Sequence, residues 1–382
     1  MIYFDHAATS FPKPTAVADR MSEYLTLCGG NAGRGAHRSS MQAAEALYEC
    51  RAAVARFFGA ASPERVVFTS GATTALNLAV KGSVRTGDHI LISDLEHNAV
   101  FRPVYALARA GVVTYDVFPT YATDPTATVA RVLRGIEERI RPNTRVLVCT
   151  HASNVCSAVL PAREIGALCR RHRIRFLLDA AQSAGHLETD ISRIGADAIC
   201  APGHKGLLGP QGVGLLILGK RTMLNTVIEG GSGVNSLDPD MPPDPPERYE
   251  AGTLPLPAIV GLREGLKAVE ARGTDVIRAR ETALWRHLAA RLRAIPHVTV
   301  AVPHAAGSVL LFHADNLPSE TLAAMLDERG FCLRAGFHCA AIAHRTLGTP
   351  PSGAVRASFG FENTVAETDA LADAIEEIVS GF

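Results

Sequence analysis

The chain has 382 residues, 47% hydrophobic and 20% charged, and its 38 Lys and Arg balance 38 Asp and Glu. That length exceeds one small core and points to two domains, or one large domain with an appendage. The even balance, with no basic run and no charged tail, argues against a nucleic-acid partner and favours a small, locally charged substrate.

The N-terminus, Met1 to His6, lacks the basic segment and apolar core of a secretory signal. No apolar stretch reaches the roughly 18 residues a membrane span needs, so a cytoplasmic protein is expected. Short apolar runs at Glu64–Thr69, His89–Ile92, Val112–Phe118, Arg145–Thr150, Arg175–Leu178, Asp197–Cys200 and Gly214–Leu218 read as strands. Helical stretches separate them, beginning with Ala75–Val80, and the alternation predicts an α/β fold with a mostly parallel sheet covered on both faces. Ligands of such sheets bind beyond the carboxyl ends of the strands. Residues 229–248 break the pattern: glycines are followed by a proline-rich stretch unable to form helix or central strand. That stretch is either a passive linker or an ordered loop near a site. Beyond it, Ile259–Arg272, Thr274–Ile295, Thr321–Arg329 and Val365–Val379 read as helices, and Val298–Val300, Ser308–Phe312 and Val355–Phe359 as strands. These make a smaller α+β unit.

Three stretches carry chemistry. Asp179 closes the run Phe176-Leu177-Leu178. A carboxylate at the end of a buried strand needs a cationic partner, unless it merely caps a following helix. Lys205 sits among glycines and apolar residues in Pro202-Gly203-His204-Lys205-Gly206. Burial there would lower its pKa and make it a nucleophilic amine, whereas a lone lysine in a glycine turn is more often solvated. Ser70-Gly71-Ala72-Thr73-Thr74 offers backbone N–H groups and hydroxyls before a helix, as a phosphate requires, although a plain helix cap has the same appearance. None of the eight cysteines forms a C-x-x-C pair, which gives zinc or thioredoxin chemistry little support.

Asp179-x-x-Gln182 followed by Gly203-His204-Lys205 resembles the class V aminotransferase family, in particular its cysteine desulfurase and selenocysteine lyase branch. The resemblance runs from Tyr3-Phe4-Asp5-His6-Ala7-Ala8 to Arg356-Ala357-Ser358. It implies a pyridoxal 5'-phosphate (PLP) enzyme of fold type I, a homodimer with a large domain over 16–258 and a small domain from 1–15 and 259–382. Lys205 then matches the lysine that carries the cofactor, Asp179 the partner of its ring nitrogen, and Gln182 the donor to its phenolic oxygen. His97, in Asp94-Leu95-Glu96-His97-Asn98, matches the residue that stacks on the ring and helps move protons. Ala72, Thr73 and His204 fall at the phosphate, and Thr253 matches a threonine that reaches the neighbouring subunit's phosphate. Pro202 departs from the Ser or Thr usual there and removes one phosphate contact.

The resemblance also narrows the reaction. Arg356 matches an arginine that clamps the substrate carboxylate, a task suited to a guanidinium fork. Asn154 matches an asparagine beside cofactor and substrate. Leu333-Arg334-Ala335-Gly336-Phe337-His338-Cys339-Ala340 resembles the active-site loop of second-group desulfurases. Cys339, with His338 and the basic Arg334 nearby, is then a nucleophile, whereas Cys332 reads as core. The implied activity converts L-cysteine to L-alanine, with the sulfur passing through Cys339 to a thiol or an acceptor protein. Rival readings are a selenocysteine lyase, a class V transaminase or β-lyase acting on another amino acid, and a non-catalytic scaffold.

Overall fold

The apolar runs assemble into a seven-stranded sheet. A computed structural model describes residues 1–33, 35 and 37–382. Across the sheet the strands follow the order Val66–Thr69, Gly214–Leu218, Ala198–Pro202, Arg175–Asp179, Thr144–Thr150, Asp88–Ser93, Val113–Phe118. Four neighbouring pairs are parallel, and Gly214–Leu218 runs antiparallel to both its neighbours. The central strands are apolar at consecutive positions because helices cover both faces. Leu147, Phe176 and Leu178 pack toward Val54, Ile165 and Leu262, whereas Val146, Val148 and Leu177 pack toward Leu76, Val100 and Val104.

Gly214 shows why the strand beside Val66–Thr69 begins with glycine. A Cβ there would lie 2.3–2.7 Å from the backbone of Gly71, so only glycine lets this strand run under the turn that opens the helix Ala72–Gly82.

The smaller unit is an antiparallel sheet in the order Arg334–Gly336, Ala354–Ser358, Val309–Ala314, Val298–Val300. The helices Thr274–Ala294, Ser319–Glu328 and Val365–Ser380 back it, burying Leu288, Phe312, Leu322 and Ile375 together. The chain start is built into this unit: Ile2–Tyr3 pairs in parallel with Phe331–Cys332, and the Phe4 and Phe359 rings meet edge to face at 5.7 Å. The helix Leu256–Arg272 sends Ile259, Leu262 and Leu266 into the core of the large sheet, so that core continues past residue 258.

No helix follows Asp179; residues 180–187 form turns, and the carboxylate accepts the Ala181 N–H at 2.9 Å. Helix capping therefore does not explain this residue. Residues 229–248 are irregular as expected, with an exposed middle. They end in a segment anchored by the buried Arg51–Glu250 pair at 2.8 Å and by Tyr249, whose hydroxyl accepts the Leu224 N–H at 2.8 Å. Among the described residues no helix is long and apolar enough to cross a membrane.

Candidate active site

The carboxyl ends of the parallel strands open onto a cavity of about 260 Å³. Its wall brings together Ala72, Thr73, His97, Asn154, Asp179, Gln182, Pro202, His204 and Lys205, which are far apart in sequence. Thr253 is exposed and does not line it.

Lys205 lies in the turn after Ala198–Pro202. The turn is pressed against its neighbour at Gly206, where a Cβ would come 2.3 Å from the Ala184 carbonyl oxygen. Burial, reinforced by the positive charge of Arg356 and opposed by Asp179, lowers the Lys205 pKa to about 8. Asp179 is buried at the end of Arg175–Asp179; burial raises its pKa, while Ala181 N–H and Lys205 pull it down. It has no ion-pair partner among the described residues, so a cationic ring nitrogen would relieve the cost of burying this carboxylate.

His97 is the N-cap of the helix Asn98–Arg109, and its Nδ1 accepts the Ala99 N–H at 3.0 Å. That bond places the ring proton on Nε2. Burial, then the charges of Lys205, Arg334 and Arg356, hold its pKa at about 4, so it presents a neutral ring and one N–H donor. Gln182 donates to the Ala7 carbonyl at 2.9 Å, which orients its amide.

The opposite end of the cavity suits an anion. The helix Ala72–Gly82 begins after Gly71 with no side-chain cap, and Ser70 Oγ and Thr74 Oγ1 lie 2.7 Å apart beside it. His204 Nδ1 is buried without a hydrogen-bond partner, a group that a phosphate oxygen or hydroxyl would satisfy. Pro202 adds no donor. The uncapped helix start, the orphan imidazole nitrogen, the unpaired carboxylate and the lysine together fit a phosphorylated pyridinium aldehyde.

The smaller unit stands beside this cavity: Arg334, Arg356 and Cys339 do not line it, but Arg356 and the Cys339 loop are bonded to Asn154, which does. Arg334 and Arg356 face each other across antiparallel strands, an arrangement of like charges that is unfavourable without anions. Arg356 is fully buried; its Nη2 reaches Asp5 Oδ1 at 2.7 Å, its Nη1 donates to the Asn154 carbonyl at 3.1 Å, and its Nε has no partner. A surface ion pair is therefore not its role. Arg334 Nη2 lies 3.4 Å from Cys339 Sγ. The cysteine loop is pinned beside the cavity at two points: Asn98 N–H, next to His97, donates to the Cys339 carbonyl at 2.7 Å, and Asn154 Nδ2, in the cavity wall, to the His338 carbonyl at 2.9 Å. His338 and Cys339 both adopt left-handed backbone, with φ of 49° and 55°.

Cys339 is exposed, whereas Cys50, Cys149, Cys156, Cys169 and Cys200 are buried. Burial pushes the Cys50 and Cys169 thiols up to about 12. Cys332, expected in the core, is half-buried.

The sequence model of the aminotransferase class-V family matches residues 2–371. The chain belongs to the class-V aminotransferase family. PLP is the cofactor of this family. The chain is 34% identical to a protein named probable cysteine desulfurase from Methanothermobacter thermautotrophicus, covering 99% of this chain and 94% of that one. A protein of the same name from Mycolicibacterium paratuberculosis is also 34% identical over all of this chain, which spans 56% of that relative's length. Among solved structures, an apo cysteine desulfurase from Thermococcus onnurineus superposes with a TM-score of 0.90 at 29% identity, covering 100% of this chain and 95% of that one. These likenesses establish the PLP fold type I architecture.

The fold brings two further residues, Asp5 and Glu96, to this site. Asp5, beside the N-terminal strand, holds Arg356. Glu96 is fully buried next to His97; it accepts from Ser93 Oγ and, at 2.9 Å, from the Thr150 N–H, and its Oε2 has no partner. Burial, with a smaller contribution from the Asp179 charge, raises its pKa to about 8. An acid raised on folding contributes stability that is present below its unfolded pKa and lost as pH rises through the folded value. The melting temperature should therefore fall between about pH 4.5 and 8 through this group. Glu96→Gln should flatten that part of a Tm-against-pH curve; an unchanged slope would disprove the assignment.

Proposed function

We propose that this chain is a PLP-dependent cysteine desulfurase that converts L-cysteine to L-alanine and takes the sulfur onto Cys339 as a persulfide. The observation that carries this reading is the exposed Cys339, its sulfur 3.4 Å from Arg334 and its loop bonded to Asn98 and to Asn154, a wall residue of the Lys205 cavity. A transaminase has no use for a thiol held there.

When bound, PLP supplies an electron sink that acidifies the substrate α-hydrogen and weakens the bond from Cβ to sulfur. Lys205 holds the cofactor and, once released, takes and returns the α-proton at Nζ; a pKa near 8 suits both tasks at neutral pH. Asp179 keeps the ring nitrogen protonated, and Gln182 orients the phenolic oxygen. His97 offers a flat neutral face and an Nε2–H rather than a free base. Ala72, Thr73 and His204 receive the phosphate. Arg356, steered by Asp5 and the Asn154 carbonyl, binds the substrate carboxylate. Arg334 holds its guanidinium against the Cys339 sulfur. That sulfur attacks the substrate sulfur; the S–S bond forms as the Cβ–S bond breaks, and the carbon skeleton gains a proton to leave as alanine.

We read the active form as a cytoplasmic homodimer in which Thr253 completes the partner's phosphate site; the expected boundary at 258 moves to the end of the helix Leu256–Arg272, which packs into the large domain, and residues 1–15 join the remainder as the small one. A thiol or an acceptor protein collects the sulfur at the exposed loop. The test is incubation of the PLP-loaded protein with L-cysteine and a reducing thiol. Equimolar alanine and sulfide are expected. Pyruvate or another keto acid without alanine would turn the assignment to a β-lyase or transaminase, and strongly preferred turnover of selenocysteine to a selenocysteine lyase.

A further inference from the structure

Beyond the cavity, a buried chain of polar groups runs behind the cysteine loop. His338 Nε2 lies 3.1 Å from the Arg334 carbonyl oxygen, and His338 Nδ1 lies 3.0 Å from His344 Nε2. His344 Nδ1 lies 2.9 Å from Thr349 Oγ1. Both imidazoles are nearly inaccessible and lie almost parallel, with centroids 5.2 Å apart and planes 14° apart.

With both rings neutral, one arrangement of protons satisfies the ring–ring contact and the contact to the Arg334 carbonyl. A carbonyl only accepts, so His338 must carry its proton on Nε2. Its Nδ1 is then bare and accepts from His344 Nε2–H, whose own Nδ1 accepts from the Thr349 hydroxyl. Burial, with the Arg356 charge, keeps both rings neutral, lowering their pKa values to about 3 and about 4. The geometry needed for this chain is built into the fold. His344 lies in the short helix Ala341–Leu347, and Gly348 turns left-handed at φ 64° so that the following Thr349 comes back beneath it.

We infer that His344 is a positioning residue for sulfur capture: acting through His338, it fixes the backbone of Arg334 and so keeps the Arg334 guanidinium against the Cys339 sulfur. The inference rests on the reading of Cys339 as the nucleophile. His338 sits between the two ends of the device. Its side chain grips Arg334, and its own left-handed backbone, shared with Cys339, aims the thiol. Without His344, His338 Nδ1 would be buried and unpaired, and the imidazole would no longer be held in the tautomer that grips Arg334.

The experiment measures alkylation of Cys339 by iodoacetamide at pH 7 on the PLP-loaded protein, resolved by peptide mass spectrometry so that Cys28 and Cys332 do not contribute. His344→Phe keeps a flat ring but removes both nitrogens. It should slow alkylation about 5–10-fold, the scale of losing a charge-assisted contact to a thiolate. Arg334→Ala should slow it equally, and the double variant no further, because both act through one contact. His344→Gln, which restores an N–H toward His338, should recover most of the rate. In turnover, His344→Phe should lower kcat with KM for L-cysteine little changed. An unchanged alkylation rate in folded His344→Phe, or losses that multiply in the double variant, would overturn the inference. Should His344→Phe fail to fold, Thr349→Val breaks the chain at its far end and should also slow alkylation; an unchanged rate there overturns the inference equally. Because alkylation does not depend on turnover, absence of alanine from the wild type would defeat the desulfurase reading separately.

Discussion

Replacement of Lys205 by methionine should abolish turnover of L-cysteine, by about 10⁴-fold or more, in the manner of removing a residue that acts within a catalytic unit. The protein should also lose its borohydride-reducible link to PLP. The argument is one of proton occupancy. Burial brings the lysine from its usual value to about 8. At neutral pH that raises the neutral amine by about two to three orders of magnitude over a solvated lysine. The rate at which apo-protein captures PLP should accordingly climb with pH and level off above about 8. The same burial carries a cost. A lysine whose pKa falls on folding is a full burden below the folded value, and the burden fades only as pH rises toward the unfolded one. Apo Lys205→Met should therefore melt higher than apo wild type at pH 7, which separates loss of chemistry from loss of fold. A variant that retains the reducible link, or melts lower, would count against Lys205 as the cofactor lysine.

Cys339→Ala should reduce alanine and sulfide formation about 10³-fold or more while PLP absorbance stays as in the wild type. No other cysteine is placed to substitute. Five are buried, and those at 50 and 169 are pushed up to about 12, so they hold almost no thiolate at neutral pH. Cys28 and Cys332 are only partly accessible, whereas Cys339 is exposed and Arg334 touches its sulfur. Protein-bound persulfide, read by mass spectrometry after brief exposure to L-cysteine, should appear on the peptide containing Cys339 and disappear in the variant. Persulfide at wild-type level in Cys339→Ala would remove this residue from the mechanism.

The amino-acid sequence by itself determined the alternation of apolar strands and helices, because the period of burial is written locally in each run. It also marked the chemistry-bearing residues that stand at strand ends or between glycines. Asp179 after Phe176-Leu177-Leu178 and Lys205 between His204 and Gly206 were legible for that reason. Tertiary structure alone decided which of them share a cavity, since strands adjacent in the sheet need not be adjacent in the chain. It also decided the residues whose roles depend on partners hundreds of positions away. Asp5 meets Arg356 only because the first strand pairs beside residues 331–332. Arg334 faces Arg356 only through strand register. His97 is marked by its motif, but only the fold sets the Ala99 N–H against its Nδ1. Glu96 and His344 carry no signal in isolation, because a glutamate or histidine is ordinarily solvated. What sets each of them apart is burial among specific partners, a property of the packed molecule and not of the residue.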